Sequence, residues 1–456
     1  MSAIRRTLSL VRRKMTKVMH RSLVSSPVEA VGGDGLHIFD KSGKKYLDAS
    51  GGAAVSCLGH QHPRILDAIK QQADKIAYAH SAFFTTEPAE ELAEFLTGIA
   101  PDTIQKVYLV SGGSEAMESA IKLARQYFCE TDQPARTKII ARRQSYHGNT
   151  LGALAVGGNE WRRKQFTPLL IDVAKVSPCY EYRHRNSGEI EEEYGLRVAN
   201  ELEEKIVELG PDTVAAFVAE TVVGATGGAI PPVSGYFKRI REICDKFGVL
   251  LILDEVMCGV GRTGSWFAFE QDGIVPDIVT IAKGLAAGYQ PIGAVLLAQQ
   301  IYDQIKVGTG FFQHGYTFMG HSIACAAGLE TLKVISEDSL ISNVIKQGDE
   351  LRSCLATCFD GHPHIGDIRG RGLFQALEFV SHRDAKDPFK PSRQFSAKLK
   401  KKAFESGLIC YPMSGTIDGV NGDHVLLAPP YIAETQDIKN MVNILRKAVD
   451  ETVIER

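Results

Sequence analysis

The sequence predicts an α/β protein, with a large domain on a mainly parallel sheet and a smaller α+β domain. Three observations predict it. Short apolar runs at 106–110, 137–141, 214–218, 249–253, 278–281 and 293–298 lack polar alternation, as strands buried on both faces do. Helix-like segments, at 115–128 and 234–247 for example, lie between several of them. After about Ser322 the pattern changes to long helices at 322–336, 340–358, 393–406 and 435–453, with strands near 373–380 and 424–428, which reads as a separate α+β layer.

Taken in order, the first 26 residues stand apart. They hold Arg5, Arg6, Arg12, Arg13, Lys14, Lys17 and Arg21 with no acid before Glu29. Such a stretch reads either as a transit peptide or as a disordered basic arm. The expected location is cytoplasmic, or mitochondrial if the stretch is a transit peptide. Residues 27–75 form the N-terminal part of the small domain. There, His37 to Ala49 reads as a hairpin turning at Asp40-Lys41-Ser42-Gly43, and Pro63 starts a helix to Ile76. A further helix spans Glu87–Leu96. Residues 76–320 make the large domain, and 321–456 complete the small one.

Composition excludes several classes. With 44% hydrophobic and 23% charged residues the chain is ordinary globular protein. A formal net charge of -2 gives no basic face for nucleic acid. No apolar run approaches the roughly 20 residues that span a bilayer. The nine cysteines lack metal-ligand spacing and fit a reducing compartment. Cys354 and Cys358 lie one helical turn apart, without His or Cys partners, so no metal site is expected.

Chemistry collects at strand ends. Asp254 closes the run LLILD, where ligands bind in parallel sheets; alone it could equally be a cap. Lys283 follows another apolar run and precedes Gly284. A lysine there loses its charge easily and can form a Schiff base, though alone it could be a surface residue. Ser111-Gly112-Gly113-Ser114 joins a strand to a helix, an arrangement whose free N–H groups bind phosphate. Glu115 would repel that phosphate, so its carboxylate should point away. Tyr146, relaxed by Gly148, could stack on a planar ring. A phosphate cradle, an aromatic platform, an acid and a lysine in one sheet together match the needs of pyridoxal 5'-phosphate.

On these motifs the chain resembles the class III aminotransferases, of fold type I among pyridoxal-phosphate-dependent enzymes. The resemblance runs from about Ser26 to Val453 and rests on Gly113-Ser114-Glu115-Ala116, Tyr146-His147-Gly148, Asp254-Glu255, Gly259-Val260-Gly261-Arg262-Thr263-Gly264, Lys283-Gly284 and His314-Gly315-Tyr316-Thr317. It implies that Lys283 carries the cofactor as a Schiff base and that Asp254 partners the pyridine nitrogen. It places Gly113 and Ser114 at the phosphate, Tyr146 and Val256 on either side of the ring, His147 in the same shell, and Glu220 near the ring hydroxyl. Lys283, Asp254 and Tyr146 would carry the catalysis. Thr317 would reach the phosphate of the partner subunit, which implies a homodimer with shared active sites. The chain departs from the family at Gly112, where relatives often have Ser, and at Thr221, where they often have Pro.

The implied reaction is ping-pong transfer of an amino group from an amine or ω-amino acid to a keto acid such as pyruvate or 2-oxoglutarate. An aminomutase or decarboxylating transaminase is the alternative on the same fold; retention of Lys283, Asp254 and the phosphate loop argues against a non-catalytic binding module. Gly259-x-Gly261-x-x-Gly264 also matches the dinucleotide fingerprint, but no full crossover helix follows it. Relatives that use keto acids often grip the carboxylate with a C-terminal Arg; residues 407–430 contain none. Tyr411 stands near that place. Tyr78, Phe83 and Phe84, and the small residues of 50–60, are candidates for the substrate entrance.

Overall fold

The computed structural model describes residues 16–455; most of the basic N-terminal extension thus lies outside the described residues. The apolar runs form one seven-stranded sheet, in the spatial order Ile104–Val110, Gly293–Ala298, Ile278–Ile281, Leu250–Asp254, Val214–Glu220, Lys138–Arg142 and Ala174–Val176. Gly293–Ala298 runs antiparallel to both neighbours, and the remaining pairings are parallel. The exception has a covalent cause. Only residues 282–292 connect it to Ile278–Ile281, and they hold a short 3₁₀ turn instead of the crossover helix that a parallel neighbour needs.

Alternate residues of each strand enter separate cores. Leu251 and Leu253 pack with Tyr194, Val198 and Ile240 of helices Glu191–Leu209 and Tyr236–Phe247. Leu250 and Ile252 pack with Met117, Ala120 and Leu123 of helix Gly113–Glu130. Burial on both faces is the reason these strands carry no polar alternation.

The hairpin forms where expected, between His37–Asp40 and Lys45–Asp48. Asp40 holds its turn, accepting from Ser42 N (2.8 Å), Lys44 N (3.0 Å) and the Tyr46 hydroxyl (2.8 Å). Leu408–Ile409 pairs in parallel with Lys45–Asp48, which ties the N-terminal hairpin to the C-terminal region. A second four-stranded sheet, antiparallel throughout, joins Ile365–Arg371, Phe374–Phe379, Asp423–Leu427 and Tyr411–Ser414. Of these strands, Ile365–Arg371 and Tyr411–Ser414 were not expected. Among the described residues, no helix is long and apolar enough to cross a membrane, and no group of His, Cys, Asp or Glu could hold a metal ion.

A buried polar network locks the C-terminal sheet onto the loop that follows Val214–Glu220. Glu378 is fully buried. It accepts from Arg183 Nε (2.7 Å), Arg369 Nη1 (2.7 Å) and the Tyr180 hydroxyl. Arg369 also donates to the carbonyls of Gly227 and Gly228. Its guanidinium and that of Arg183 hold the Glu378 carboxyl below its ordinary range, against the effect of burial. Removing one partner of such a set strands the other charges. Glu378→Ala is therefore expected to lose roughly 3–5 kcal/mol of stability, read as a fall in the chemical-denaturation midpoint at neutral pH. A change of less than about 1 kcal/mol, the range of an exposed ion pair, would mean that water replaces the network at no cost.

Candidate active site

A cavity of about 440 Å³ opens at the carboxyl ends of the parallel strands. Strand register decides what faces it. Glu220 pairs with Asp254 across adjacent strands, and Asp254 pairs with Thr280, three residues before Lys283. Two acids and a lysine therefore converge because their strands end side by side.

Each group is held by the backbone around it. Asp254 Oδ1 accepts from Val256 N at 2.9 Å, and Oδ2 lies 2.8 Å from His147 Nδ1. The His147 ring is buried, and its Nε2 has no partner among the described residues. Glu220 Oε1 accepts from Tyr146 N at 3.0 Å and Oε2 from Gly224 N at 2.8 Å. Burial raises the Glu220 carboxyl above its ordinary pKa, with the Asp254 charge adding and His147 opposing. Lys283 sits in left-handed backbone at φ 48°, a conformation uncommon outside glycine. Burial lowers its ammonium pKa, against the pull of Asp254 and Glu220. A lysine so placed is a better nucleophile than a solvated one.

The opposite wall is the start of helix Gly113–Glu130. Ser111, Gly112, Gly113 and Ser114 line the cavity. Glu115 turns back and accepts from Ser111 N at 2.8 Å, so its charge caps the helix instead of entering the cradle. A Cβ added at Gly112 would meet nothing within 4 Å; the space where relatives often carry a Ser side chain is open. Gly113 lies against Val256, where an added Cβ would come within 2.9 Å of Cγ1. The Ser114 hydroxyl accepts from Asn149 N at 3.1 Å, which leaves its own proton free to donate. The cavity thus joins a donor-rich helix start, an aromatic side chain, an acid and a lysine, and these residues fit a phosphorylated pyridine aldehyde.

Gly113, Ser114, Tyr146, His147, Glu220, Asp254, Val256 and Lys283 all line this one cavity. Thr317 does not; it is exposed on the surface. Tyr78, Phe83 and Phe84 are not among the residues lining it, with Phe83 and Phe84 80% and 67% exposed. From the small residues of 50–60, Val55 does reach the wall. Gln290, Pro291 and Ile292 line it too, without any chemical signature in the sequence to announce them. The glycine fingerprint at 259–264 is a turn followed by the 3₁₀ segment Ala268–Asp272; no crossover helix follows.

The class III aminotransferase family profile matches residues 18–449. The chain belongs to the class III aminotransferases. An aminotransferase of Gibberella zeae is 46% identical over 436 residues, covering 94% of this chain and 85% of the relative. The gamma aminobutyrate transaminase 3, chloroplastic, of Solanum lycopersicum is 37% identical, covering 92% and 80%. Among solved structures, the omega transaminase from Pseudomonas jessenii in complex with PMP superposes with a TM-score of 0.88 at 35% identity, covering 94% of this chain and 93% of that one. Class III aminotransferases are pyridoxal-phosphate-dependent enzymes of fold type I, and the parallel-rich sheet described above is that fold.

Gly148 is the most crowded of the glycines lining this aminotransferase's cavity. Its φ is 128°, and an added Cβ would lie 2.6 Å from Ser114 Oγ. Gly148→Ala is expected to cost about 1–3 kcal/mol and to displace Ser114. Thermal denaturation and cofactor retention after gel filtration would both fall. Retention equal to the parent's would show that the loop shifts without disturbing the cradle.

Proposed function

We propose that this chain transfers an amino group from an amine or ω-amino acid to a keto acid such as pyruvate or 2-oxoglutarate, in two half-reactions on pyridoxal phosphate. The observation that carries the reading is the convergence of Lys283, Asp254 and Glu220 opposite the helix start at Gly113. Similarity to a gamma aminobutyrate transaminase supports an ω-amino donor.

When bound, the cofactor supplies an electron sink that stabilises charge on the substrate carbon. The residues divide the remaining work. Gly113 N–H and the Ser114 hydroxyl would hold the phosphate with the helix dipole. Asp254, kept in place by His147 and Val256 N, would keep the pyridine nitrogen protonated. Tyr146 and Val256 would enclose the ring, and Glu220 would serve the ring hydroxyl. Lys283 Nζ would hold the cofactor at rest and, once freed by the donor amine, would take the proton from the substrate carbon and deliver it to the cofactor's former aldehyde carbon. Its burial-lowered pKa suits both duties.

The test is a half-reaction screen. Holoenzyme mixed with single amines, ω-amino acids or α-amino acids should lose its visible cofactor absorbance fastest with the first two classes. Preference of about tenfold or more for common α-amino acids other than alanine would overturn the donor class. Lys283→Ala is expected to abolish turnover while phosphate-loop binding of the cofactor persists, and borohydride should fix no cofactor to it. Full turnover in this variant would end the assignment.

The proposal extends to assembly through Thr317. It is exposed in its own chain, next in sequence to Phe318, which is 57% exposed. Apolar surface of this kind calls for cover, and a second copy would bring Thr317 to its partner's phosphate. Mixing Lys283→Ala subunits with Thr317→Ala subunits under conditions of exchange should restore activity through one intact site per heterodimer. Absence of recovery, with exchange confirmed, would argue that each chain builds its site alone.

A further inference from the structure

The C-terminal loop without an arginine packs against a turn that carries one. Gln144 Nε2 donates to the carbonyls of Gly415 (2.7 Å) and Thr416 (3.0 Å). A Cβ at Gly419 would come within 3.3 Å of Trp161 N. The short helix Glu160–Arg163 therefore sits between this loop and the cavity wall. Asn159 Oδ1 caps it by accepting from Arg162 N at 3.2 Å. From it, the Arg162 guanidinium reaches the ring of Tyr146, with Cζ 4.6 Å from the ring centroid.

Three properties distinguish Arg162. Its guanidinium makes no hydrogen bond or ion pair among the described residues, whereas neighbouring Arg163 pairs with Glu160. Its side chain is only half-buried. It also acts electrostatically on the Tyr146 phenol, as does the exposed Arg21. The charged groups lining the cavity itself are two carboxylates and one lysine of lowered pKa, and Arg162 reaches it through Tyr146. A substrate carboxylate would be repelled there and needs a cation beyond that lining.

We propose that Arg162 is the carboxylate-binding residue of this active site, held against Tyr146 so that its planar N–H edge is free for an acid substrate. A guanidinium stacked on a ring keeps its donors in the plane, ready for bidentate pairing. The proposal rests on the reading above for the substrate classes. It adds the residue that distinguishes acids from neutral analogues. The carboxylate could be that of an ω-amino acid donor or that of a keto-acid acceptor.

The experiment separates these sources and isolates charge recognition. Specificity constants are measured for 4-aminobutyrate against butylamine as donors, and for pyruvate against butanal as acceptors, in the parent, Arg162→Leu and Arg162→Lys holoenzymes. In Arg162→Leu the acid-to-neutral ratio should fall by at least about 30-fold in one arm or both, with Arg162→Lys recovering part of it. Calorimetric binding of butyrate to holoenzyme should weaken at least about tenfold in Arg162→Leu, while butyramide sets the neutral baseline. An equal loss for acids and neutral analogues would assign Arg162 to the support of Tyr146 alone and overturn the proposal. So would unchanged ratios. If the parent rejects 4-aminobutyrate and butylamine alike, the donor reading fails, while the acceptor arm still decides the role of Arg162.

Discussion

The constraint on which this structure depends is electrostatic: one lysine and two carboxylates must share a cavity inside an apolar sheet. An isolated buried charge is costly, and each of the three is made tolerable in its own way. Asp254 takes a backbone N–H and a buried histidine. Glu220 takes two backbone N–H groups. Lys283 has only the field of those two acids, and burial still lowers its pKa. The order of strand ends supplies the arrangement: Val214–Glu220, Leu250–Asp254 and Ile278–Ile281 are spatial neighbours and run parallel. Their functional ends therefore open on one side.

Behind the cavity, the adjacent acid serves the scaffold. Glu255 is buried beside Asp254 and accepts from Thr221 Oγ1 (2.8 Å), Ala268 N (2.7 Å) and Phe269 N (2.8 Å). Burial pushes its carboxyl up to about 7, although these donors favour the charged form. Thr221, where relatives often carry Pro, thus ties the end of Val214–Glu220 to the turn after Leu250–Asp254. Arg262 of that turn is buried too. It donates to the carbonyls of Leu373 and Pro429 and lies over the Tyr431 ring. The glycine fingerprint that mimics a dinucleotide site is a structural turn, wound by left-handed backbone at Val260, Gly261 and Gly264.

What the sequence discloses follows from how each feature is encoded. Strands buried on both faces read as unbroken apolar runs, so the central strands were legible. The direction of Gly293–Ala298 was not, because it depends on the length of the connection and not on the strand's residues. Ala174–Val176 is too short for a period to register. Ile365–Arg371 alternates Gly, Asp and Arg, since its polar groups pair inside the structure: Arg369 with Glu378, and Arg371 with Asp272. Site residues with distinctive chemistry, Lys283 and Asp254 above all, were visible by motif. Gln290, which contributes only wall, was not. Arg162 escaped for a further reason: its relation to Tyr146 is made by packing between residues 16 apart in sequence, and nothing in Asn-Glu-Trp-Arg-Arg separates it from a solvated basic turn.

Two carboxylates and Lys283 line the cavity, while Arg162 and Arg21 act on Tyr146 from outside that lining. With Asp254 and Glu220 given to the cofactor ring, the amine would be directed to the Lys283 position, and the arginines beside Tyr146 would favour an anionic group there. Molecules whose amine and carboxylate are separated by several carbons can satisfy both positions at once. An α-amino acid carries its two charges on adjacent carbons and must leave one position unsatisfied or fold its carboxylate toward the acids. On the reading proposed above, the separation between the Lys283 position and the arginine beside Tyr146, more than the cavity's volume, is what would favour an ω-amino donor; strand order sets the first and the short helix Glu160–Arg163 the second.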